Sequence, residues 1–246
     1  MSPTDAIPFD DAMLLSAWER TLAVARPWRE IALLAAASGE PAERLARLPV
    51  GERDRRLLDL REHAFGNRLD CETACPACGA RLELELTAAE IRPPSRDVQP
   101  SDLRMTDEST VVTFRLPDSA DVAASRGSIR DPEELLLSRC VVEATHEGAP
   151  VDGAALPIAV RESLAARMAE LDPLAELLLQ LTCPECAHSW QADFDPAAFL
   201  LAEVDAWAAR VLGEVDRLAR AYGWSEAEIL ALSPLRRRRY LELART

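Results

Sequence analysis

The chain has 246 residues, 48% of them hydrophobic, which suffices for one sizeable domain or two small ones. Its 28 basic and 42 acidic residues give a formal net charge of −14, so phosphate backbones would repel it and nucleic-acid binding is disfavoured. No apolar run reaches the length of a membrane span, and the N-terminus lacks the basic start and apolar core of a signal peptide. We therefore expect a cytoplasmic protein whose six cysteines stay reduced and serve metal binding or redox chemistry.

Residues 1–47 are predicted to form amphipathic helices. One helix is expected from Asp10 to Arg20 and a second from Pro27 to Ser38, where Gly39 ends it. A third is expected from Pro41 to about Arg47. Proline is favoured at the first helical position, and glycine after the last apolar residue ends a helix.

Residues 48–91 are predicted to hold a helix followed by a β-hairpin. The helix begins after Pro49 and ends at Phe65-Gly66, and charged residues at 52–56 are expected to cover its surface. The apolar period then changes from about 3.6 to 2, which indicates strands. The turn between the two strands is Cys75-Pro-Ala-Cys78-Gly79, in which Gly79 supplies a positive φ.

Residues 92–155 are predicted to be an insert that consists of a linker, a hairpin and helices. The segment from Arg92 to Ser101 contains three prolines and almost no apolar residue, as linkers do. The elements expected after it are strands at Leu103–Met105 and Thr110–Leu116, a short helix at Ser119–Ser125, a helix that begins at Asp131-Pro132 and contains Leu135 through Val141, and a loop at His146–Pro150.

Residues 156–195 repeat the order of residues 48–91 at a shift of 108 positions. A helix from Pro157 to Leu171 and a strand from Leu177 to Leu181 precede a second turn, Cys183-Pro-Glu-Cys186, and an alternating segment follows it. The register needs no gap from Leu48 to Ile91. A unit of this size cannot bury its own apolar face, so the two copies are expected to pack together. Chance similarity among common apolar residues is the alternative.

The two cysteine turns predict one structural zinc site. Zn²⁺ in such sites takes four ligands in a tetrahedron, and each Cys-x-x-Cys turn supplies two of them. The predicted ligands of the single Zn²⁺ are Cys75, Cys78, Cys183 and Cys186. A dithiol redox pair is the rival interpretation, but that motif stands at the start of a helix, whereas a strand follows each turn here. Four thiolates leave no open position for a catalytic water.

The remaining cysteines and the histidines are not predicted to bind metal. Cys71 alternates with polar neighbours as a buried strand residue does, and Cys140 lies on an apolar helix face. His188 follows Cys186 closely enough to replace a cysteine, but a solvated histidine beside the ligands is the favoured interpretation. His63 and His146 have no partner that the sequence reveals.

Residues 196–246 are predicted to be helical. The longest helix begins at Asp195-Pro196 and ends at Tyr222, with an apolar stripe that either packs on the domain, which we favour, or forms a coiled coil with a partner. A capping box of Ser225 and Glu228 opens the next helix, and Ser233-Pro234 opens the last, which is expected to end at Thr246. The basic cluster Arg236–Arg239 is interpreted as a solvated or salt-bridging face rather than a nucleic-acid contact.

These elements predict a mainly helical α+β protein. Two pseudo-repeated helix–β-hairpin units share one zinc bound by four cysteines, and helices flank them on both sides. The chain contains no P-loop, G-x-G-x-x-G, G-x-S-x-G or H-E-x-x-H motif, and its three histidines are scattered. We therefore expect a protein without enzymatic activity.

Three groups of residues carry a family resemblance: Ala17-Trp-Glu-Arg20; Leu48-Pro-Val-Gly-Glu-Arg-Asp54 with Phe65-Gly66 and the first cysteine turn; and Tyr222-Gly-Trp-Ser-Glu-Ala-Glu-Ile229 with Leu232 and Arg239-Tyr-Leu241. The chain resembles proteins encoded in bacterial gene clusters for phage tails and phage-tail-like contractile injection systems, which are grouped with the baseplate hub assembly chaperones of T-even-type phages. The resemblance implies an accessory role in baseplate or hub assembly without catalysis, with baseplate, hub or tail proteins as partners. The cysteine turns are not part of the pattern of the phage chaperones, so a chaperone and a structural subunit both fit.

Two other functions stay open at this point. The first is a zinc-ribbon adaptor that binds nucleic acid through Arg236–Arg239. The second is a redox-switched chaperone that releases zinc on oxidation, which needs accessible cysteines with a lowered pKa.

Overall fold

The structure is a computed structural model that describes residues 11–93, 98–126, 128–129 and 131–244. It is mainly helical with small antiparallel sheets, which confirms the predicted α+β class. The predicted helix start at Asp10, part of the predicted linker and the predicted helix end at Thr246 lie outside the described residues. Within the described residues, no helix is long and apolar enough to cross a membrane.

The helices and strands follow the predicted order closely. The helices are α1 (Asp11–Thr21), α2 (Trp28–Ser38), α3 (Ala42–Leu45), α4 (Val50–Phe65), α5 (Ala88–Ile91), α6 (Ser119–Arg126), α7 (Pro132–Cys140), α8 (Ile158–Leu171), α9 (Pro196–Tyr222), α10 (Glu226–Leu230) and α11 (Pro234–Leu243). The strands are β1 (Arg68–Ala74), β2 (Arg81–Thr87), β3 (Arg104–Asp107), β4 (Thr110–Phe114), β5 (Val141–His146), β6 (Ala149–Pro150), β7 (Leu177–Thr182) and β8 (Ser189–Phe194). Short 3₁₀ turns occupy Pro100–Leu103 and Gly153–Ala155.

Helix α9 is the support on which the N-terminal helices pack. Asp195 caps it by accepting a hydrogen bond from the amide of Ala198, and Gly223 ends it in the left-handed conformation. Its apolar stripe as far as Val211 is buried against α1, α2 and α4 in one core cluster that includes Leu33 and Leu57. Val215 and Leu218 pack with Ile229 of α10 in a second cluster. This intramolecular packing confirms the favoured interpretation of the stripe.

Each cysteine turn joins the two strands of one antiparallel sheet. The first turn joins β1 to β2, and the second joins β7 to β8. Leu69 pairs with Leu86 in the first hairpin, and Leu177 pairs with Phe194 in the second. The inward-facing side chains of both hairpins join one apolar cluster. The hairpins thus pack against each other, which matters because an isolated two-stranded hairpin is only marginally stable.

The central segment forms a four-stranded antiparallel sheet in the order β3-β4-β5-β6. Its buried face, with Val112 and Phe114, packs on Leu164 and Met168 of α8. Two predictions were wrong here: α7 ends at Cys140 rather than including Val141, and the expected loop at 146–150 contains strand β6. Val141 pairs with Phe114 of β4, because a β-branched residue gains cross-strand neighbours in the sheet that a helix end does not offer. Strand β6 forms by pairing with β5, where Ala149 lies opposite His146.

Both cysteine turns contain a residue with positive φ just after the second cysteine. Gly79 has φ +75° and Ala187 has φ +57°. For Gly79 this confirms the prediction. An L-residue such as alanine is strained in this region by about 1 kcal/mol, whereas glycine adopts it freely.

Asp121 of α6 forms ion pairs with Arg115, which follows β4, and with Arg139 of α7. Its fully buried carboxylate accepts hydrogen bonds from Arg115 Nη2 and Arg139 Nε, both at 2.9 Å, and from the amide of Asp118 at 3.1 Å. Burial opposes ionisation, but the hydrogen bonds from Arg115 and the Asp118 amide prevail and hold the pKa of Asp121 at about 2. The ionised carboxylate therefore links α6 to α7 and to the residue that follows β4.

Replacing Asp121 by asparagine should destabilise the protein by about 1–2 kcal/mol at pH 7, a value discounted because both arginines are partly exposed to solvent. The folded pKa lies below the unfolded value, so the stabilisation is complete above about pH 4 and is lost as the pH falls toward 2. Urea unfolding of wild type and Asp121→Asn at pH 7 and pH 3 should therefore show a difference that shrinks in acid. Asp216→Asn, at an exposed ion pair, should change stability by less than about 0.5 kcal/mol. A pH-independent difference for Asp121→Asn would contradict this account.

The two turns should respond oppositely to exchange of their positive-φ residues. Gly79→Ala should lower stability by about 1 kcal/mol, and Ala187→Gly should raise it by up to the same amount. A Cβ at Gly79 would meet nothing within 4 Å, so the effect reports backbone strain alone. Urea unfolding of the two variants measures it, and shifts of the same sign in both would show that the strain is not the cause.

Candidate metal centre

The backbone of each cysteine turn is closed by two hydrogen bonds in equivalent positions. The amide of Cys75 donates to the Ala80 carbonyl at 2.8 Å, and the amide of Gly79 donates to the Cys75 carbonyl at 2.9 Å. In the second turn, the amides of Cys183 and Ala187 donate to the carbonyls of His188 and Cys183, both at 2.9 Å. The turns are therefore held at their base by the strands, with the sulfurs at the tip.

The structure brings the four predicted ligands together. The Sγ atoms of Cys75, Cys78, Cys183 and Cys186 all lie within 4.8 Å of one another. The Cys75–Cys186 and Cys78–Cys183 sulfur distances are both 3.7 Å. A tetrahedral ion with metal–sulfur bonds of about 2.3 Å separates its sulfurs by about 3.8 Å. A disulfide needs about 2.05 Å, so all four thiols are free.

The cluster is buried on one side only. Cys75 and Cys183 are buried, whereas Cys78 and Cys186 are exposed. Leu82 and Trp190, which occupy equivalent positions in the two hairpins, pack beside the buried pair. An ion at the centre would be shielded by this apolar contact on the inner side and would lie near the surface on the side of Cys78 and Cys186.

The thiols of the cluster have pKa values shifted in opposite directions. Burial opposes ionisation of Cys75, but the amides of Cys78 and Ala77 donate to its sulfur and lower its pKa to about 6. The amide of His188 favours the Cys186 thiolate, yet the neighbouring thiols and burial prevail and raise the pKa of Cys186 to about 12. A divalent soft metal would stabilise all four as thiolates and release protons.

The other cysteines and histidines lie apart from this cluster. Cys71 is half-buried in β1, and Cys140 is a core residue whose burial raises its pKa to about 12. His188 contributes its carbonyl to the second turn, and its ring stacks on Trp190 at 6.0 Å. His146 Nδ1 lies 3.0 Å from Thr110 Oγ1, a partner that the sequence did not reveal.

The basic cluster Arg236–Arg239 is divided between core and surface. Arg237 is 1% exposed, and its guanidinium pairs with Asp11 and, at 3.1 Å, with Glu214. Arg239 pairs with Glu242 at 2.9 Å. Arg236, Arg238 and Arg239 are exposed, but they belong to a chain with a formal net charge of −14, which disfavours contact with a phosphate backbone.

Helix α4 also carries charged side chains that are buried. Arg53 and Asp54 of α4 were predicted to be part of a charged surface, but each is only 4% exposed. Arg61, 3% exposed, forms a two-pronged ion pair with Glu203 of α9 at 2.7 and 2.8 Å. Spacing on a helix does not distinguish these residues from solvated ones, and no other signal in the sequence singled them out.

Comparison with known proteins agrees with the resemblance found in the sequence. The family model described as T4 bacteriophage base plate protein matches residues 33–200, from α2 to the first turn of α9, and this region includes all four clustered cysteines. Comparisons with curated proteins and with solved structures gave no match. Because the matched region covers well over half of the chain, the protein belongs to the T4 bacteriophage base plate protein family.

Proposed function

We propose that this protein is a non-enzymatic assembly factor or structural component of the baseplate or hub of a phage-tail-like contractile injection system, stabilised by one structural zinc ion. The observation that carries the proposal is the family match over residues 33–200, which supports a baseplate role. We expect its partners to be other baseplate, hub or tail proteins. It would work in the cytoplasm or within the particle, where its thiols stay reduced.

Zinc is the metal that we assign to the four sulfurs. Tetrahedral sites of four thiolates select zinc or iron, and a closed site of this kind in a structural protein is typical of zinc. The site would supply folding free energy to two small hairpins. It would leave no coordination position for substrate or water, which accords with a protein that has no catalytic role.

A duplicated unit accounts for the position of the two pairs of ligands. Helix α4 begins at Val50 and α8 at Ile158, while β2 begins at Arg81 and β8 at Ser189, and both shifts equal 108 residues. Pro49 and Pro157 precede the two helices with similar backbone angles. We propose that the two helix–hairpin units are copies of one element that share the zinc, although Val50 is buried and Ile158 is exposed.

The purified protein should contain one zinc ion per chain. Cys75→Ser and Cys183→Ser should each abolish retention of zinc through gel filtration, because three thiolates no longer close the tetrahedron. Elemental analysis by mass spectrometry measures the metal, and thermal unfolding should show a lower melting temperature for both variants. Cys71→Ser is the matched control, since this half-buried cysteine lies outside the cluster, and it should keep its zinc. A metal-free wild type, or equal metal loss in Cys71→Ser, would remove the zinc assignment.

The baseplate role predicts specific partners. Tagged protein purified from cells that produce the particle should carry baseplate or hub proteins in near-stoichiometric amounts by mass spectrometry, and Cys75→Ser should lose them. Analysis of finished particles then separates the two roles, since a structural subunit stays in the particle and an assembly factor does not. Recovery of no tail or baseplate protein, from cells shown to assemble particles, would refute the proposal.

A further inference from the structure

A cavity of about 260 Å³ lies where α2, α4 and α6 meet the second hairpin and the start of α9. Pockets for small-molecule ligands usually measure about 300–1,000 Å³, so this cavity suits a single side chain better than a cofactor. It lies away from the cysteine cluster, and none of the four clustered cysteines lines it.

Two of the charged side chains that line the cavity are buried. Glu30 is 0% exposed and Asp54 is 4% exposed. One carboxylate oxygen of Glu30 accepts a hydrogen bond from Arg26 Nε, while Oε2 is buried and has no hydrogen-bond partner among the described residues. An unpaired buried carboxylate oxygen is costly, so a further hydrogen-bond donor at Glu30 would be stabilising. Because Glu30 has no accessible surface, a donor from a partner would have to displace Arg26, the partly exposed side chain that pairs with it.

Negative charge predominates around the cavity. The carboxylates that line it belong to Glu30, Asp54, Glu176, Asp193 and Asp195, whereas the arginines are Arg26, Arg53 and Arg126. Two of these arginines already form ion pairs with carboxylates of the cavity. Arg26 pairs with Glu30 and Asp195, and Arg53 pairs with Asp54. Burial, assisted by the negative charges of Asp195 and Glu30, raises the pKa of Asp54 to about 6 even though Arg53 opposes it. A cation in the cavity would relieve this repulsion.

The geometry favours an extended organic cation over a metal ion. Among the described residues, only the four cysteines bring three or more possible ligand atoms within 4.8 Å of one another, so these carboxylates lack the close oxygens that a metal requires. A guanidinium carries five N–H donors on a plane and reaches acceptors that are further apart. Val50, Val122 and Phe194 line the same cavity and suit the apolar stem of an arginine side chain.

We propose that this cavity binds an arginine side chain of a partner protein, with the guanidinium donating to the carboxylates of Glu30 and Asp54. The identity of that partner rests on the proposed function, because it would be a baseplate, hub or tail protein. The recognition chemistry rests on the cavity alone.

The direct test uses small probes on the full-length purified protein. N-acetyl-argininamide, followed by ¹H–¹⁵N NMR, should cause saturable shifts confined to amides around the cavity. N-acetyl-citrullinamide has the same shape without the charge and should bind at least ten-fold more weakly. Calcium chloride should not shift these amides.

Three variants locate the binding. Glu30→Gln should weaken argininamide binding at least five-fold, whereas Glu83→Gln, the same change on an exposed strand residue, should leave it unchanged. Ala175→Trp places a large side chain at the exposed mouth without altering the buried charges, and it should block binding even where Glu30→Gln fails to fold.

Three results would overturn the inference: equal affinity for the citrulline probe, calcium-induced shifts of the cavity amides without an argininamide response, or undiminished binding in Ala175→Trp. Argininamide binding with no baseplate partner recovered would uphold the cavity assignment and refute the proposed function. Where a partner complex is obtained, Glu30→Gln should weaken it at least ten-fold, and an unchanged affinity would overturn the role of the cavity in partner binding.

Discussion

The convergence of four sulfurs from two distant turns is the constraint on which the rest of the structure depends. Their sulfur atoms all lie within 4.8 Å of one another, so the four cannot all be ionised unless a cation lies between them. The hairpins that carry them have two strands each and could not persist separately. Metal binding at such a site contributes directly to the free energy of folding, because the site does not exist in the unfolded chain. A metal bound there would thus stabilise the same contact between the hairpins as their shared apolar cluster does.

Buried arginines link the helices to one another through ion pairs. Arg61 joins α4 to Glu203 of α9, and Arg237 joins α11 to Glu214 of the same helix. A guanidinium can hold a carboxylate with two hydrogen bonds while using its remaining donors on backbone carbonyls, as Arg61 does with Gly66 and Arg237 with Leu232. A buried ion pair of this kind adds little net stability, but loss of one partner leaves an uncompensated charge. These pairs therefore fix which helices meet, more than how strongly they meet.

The features that the sequence predicts well are those encoded by neighbouring residues. The capping box of Ser225 and Glu228 forms as expected, and Gly79 has the positive φ that its turn requires. The cysteine cluster was also predictable, because tetrahedral coordination links two motifs regardless of the chain between them. The predictions that failed depend on tertiary contacts. Strand β5 exists because β4 offers it hydrogen bonds. Arg53 and Asp54 are buried where α4 meets α6, and Arg53 donates a hydrogen bond to Ser119 there, although this helix surface looks solvated in the sequence.

The second hairpin contributes residues to both the candidate metal centre and the acidic cavity. The second hairpin carries Cys183 and Cys186 at its turn, and the residues at its open end, Leu177 and Phe194, line the cavity. Asp195 continues from that end, accepts a hydrogen bond from Arg26 at 2.7 Å, and caps α9. The opposite wall of the cavity belongs to α2 and α4, which precede the first hairpin in the chain. The second hairpin therefore contributes to both sites, while α2 and α4 also pack directly on α9 in the helical core. A partner's side chain bound at this place would therefore contact the second hairpin at its open end, opposite the end where Cys183 and Cys186 lie, and would not contact the metal centre.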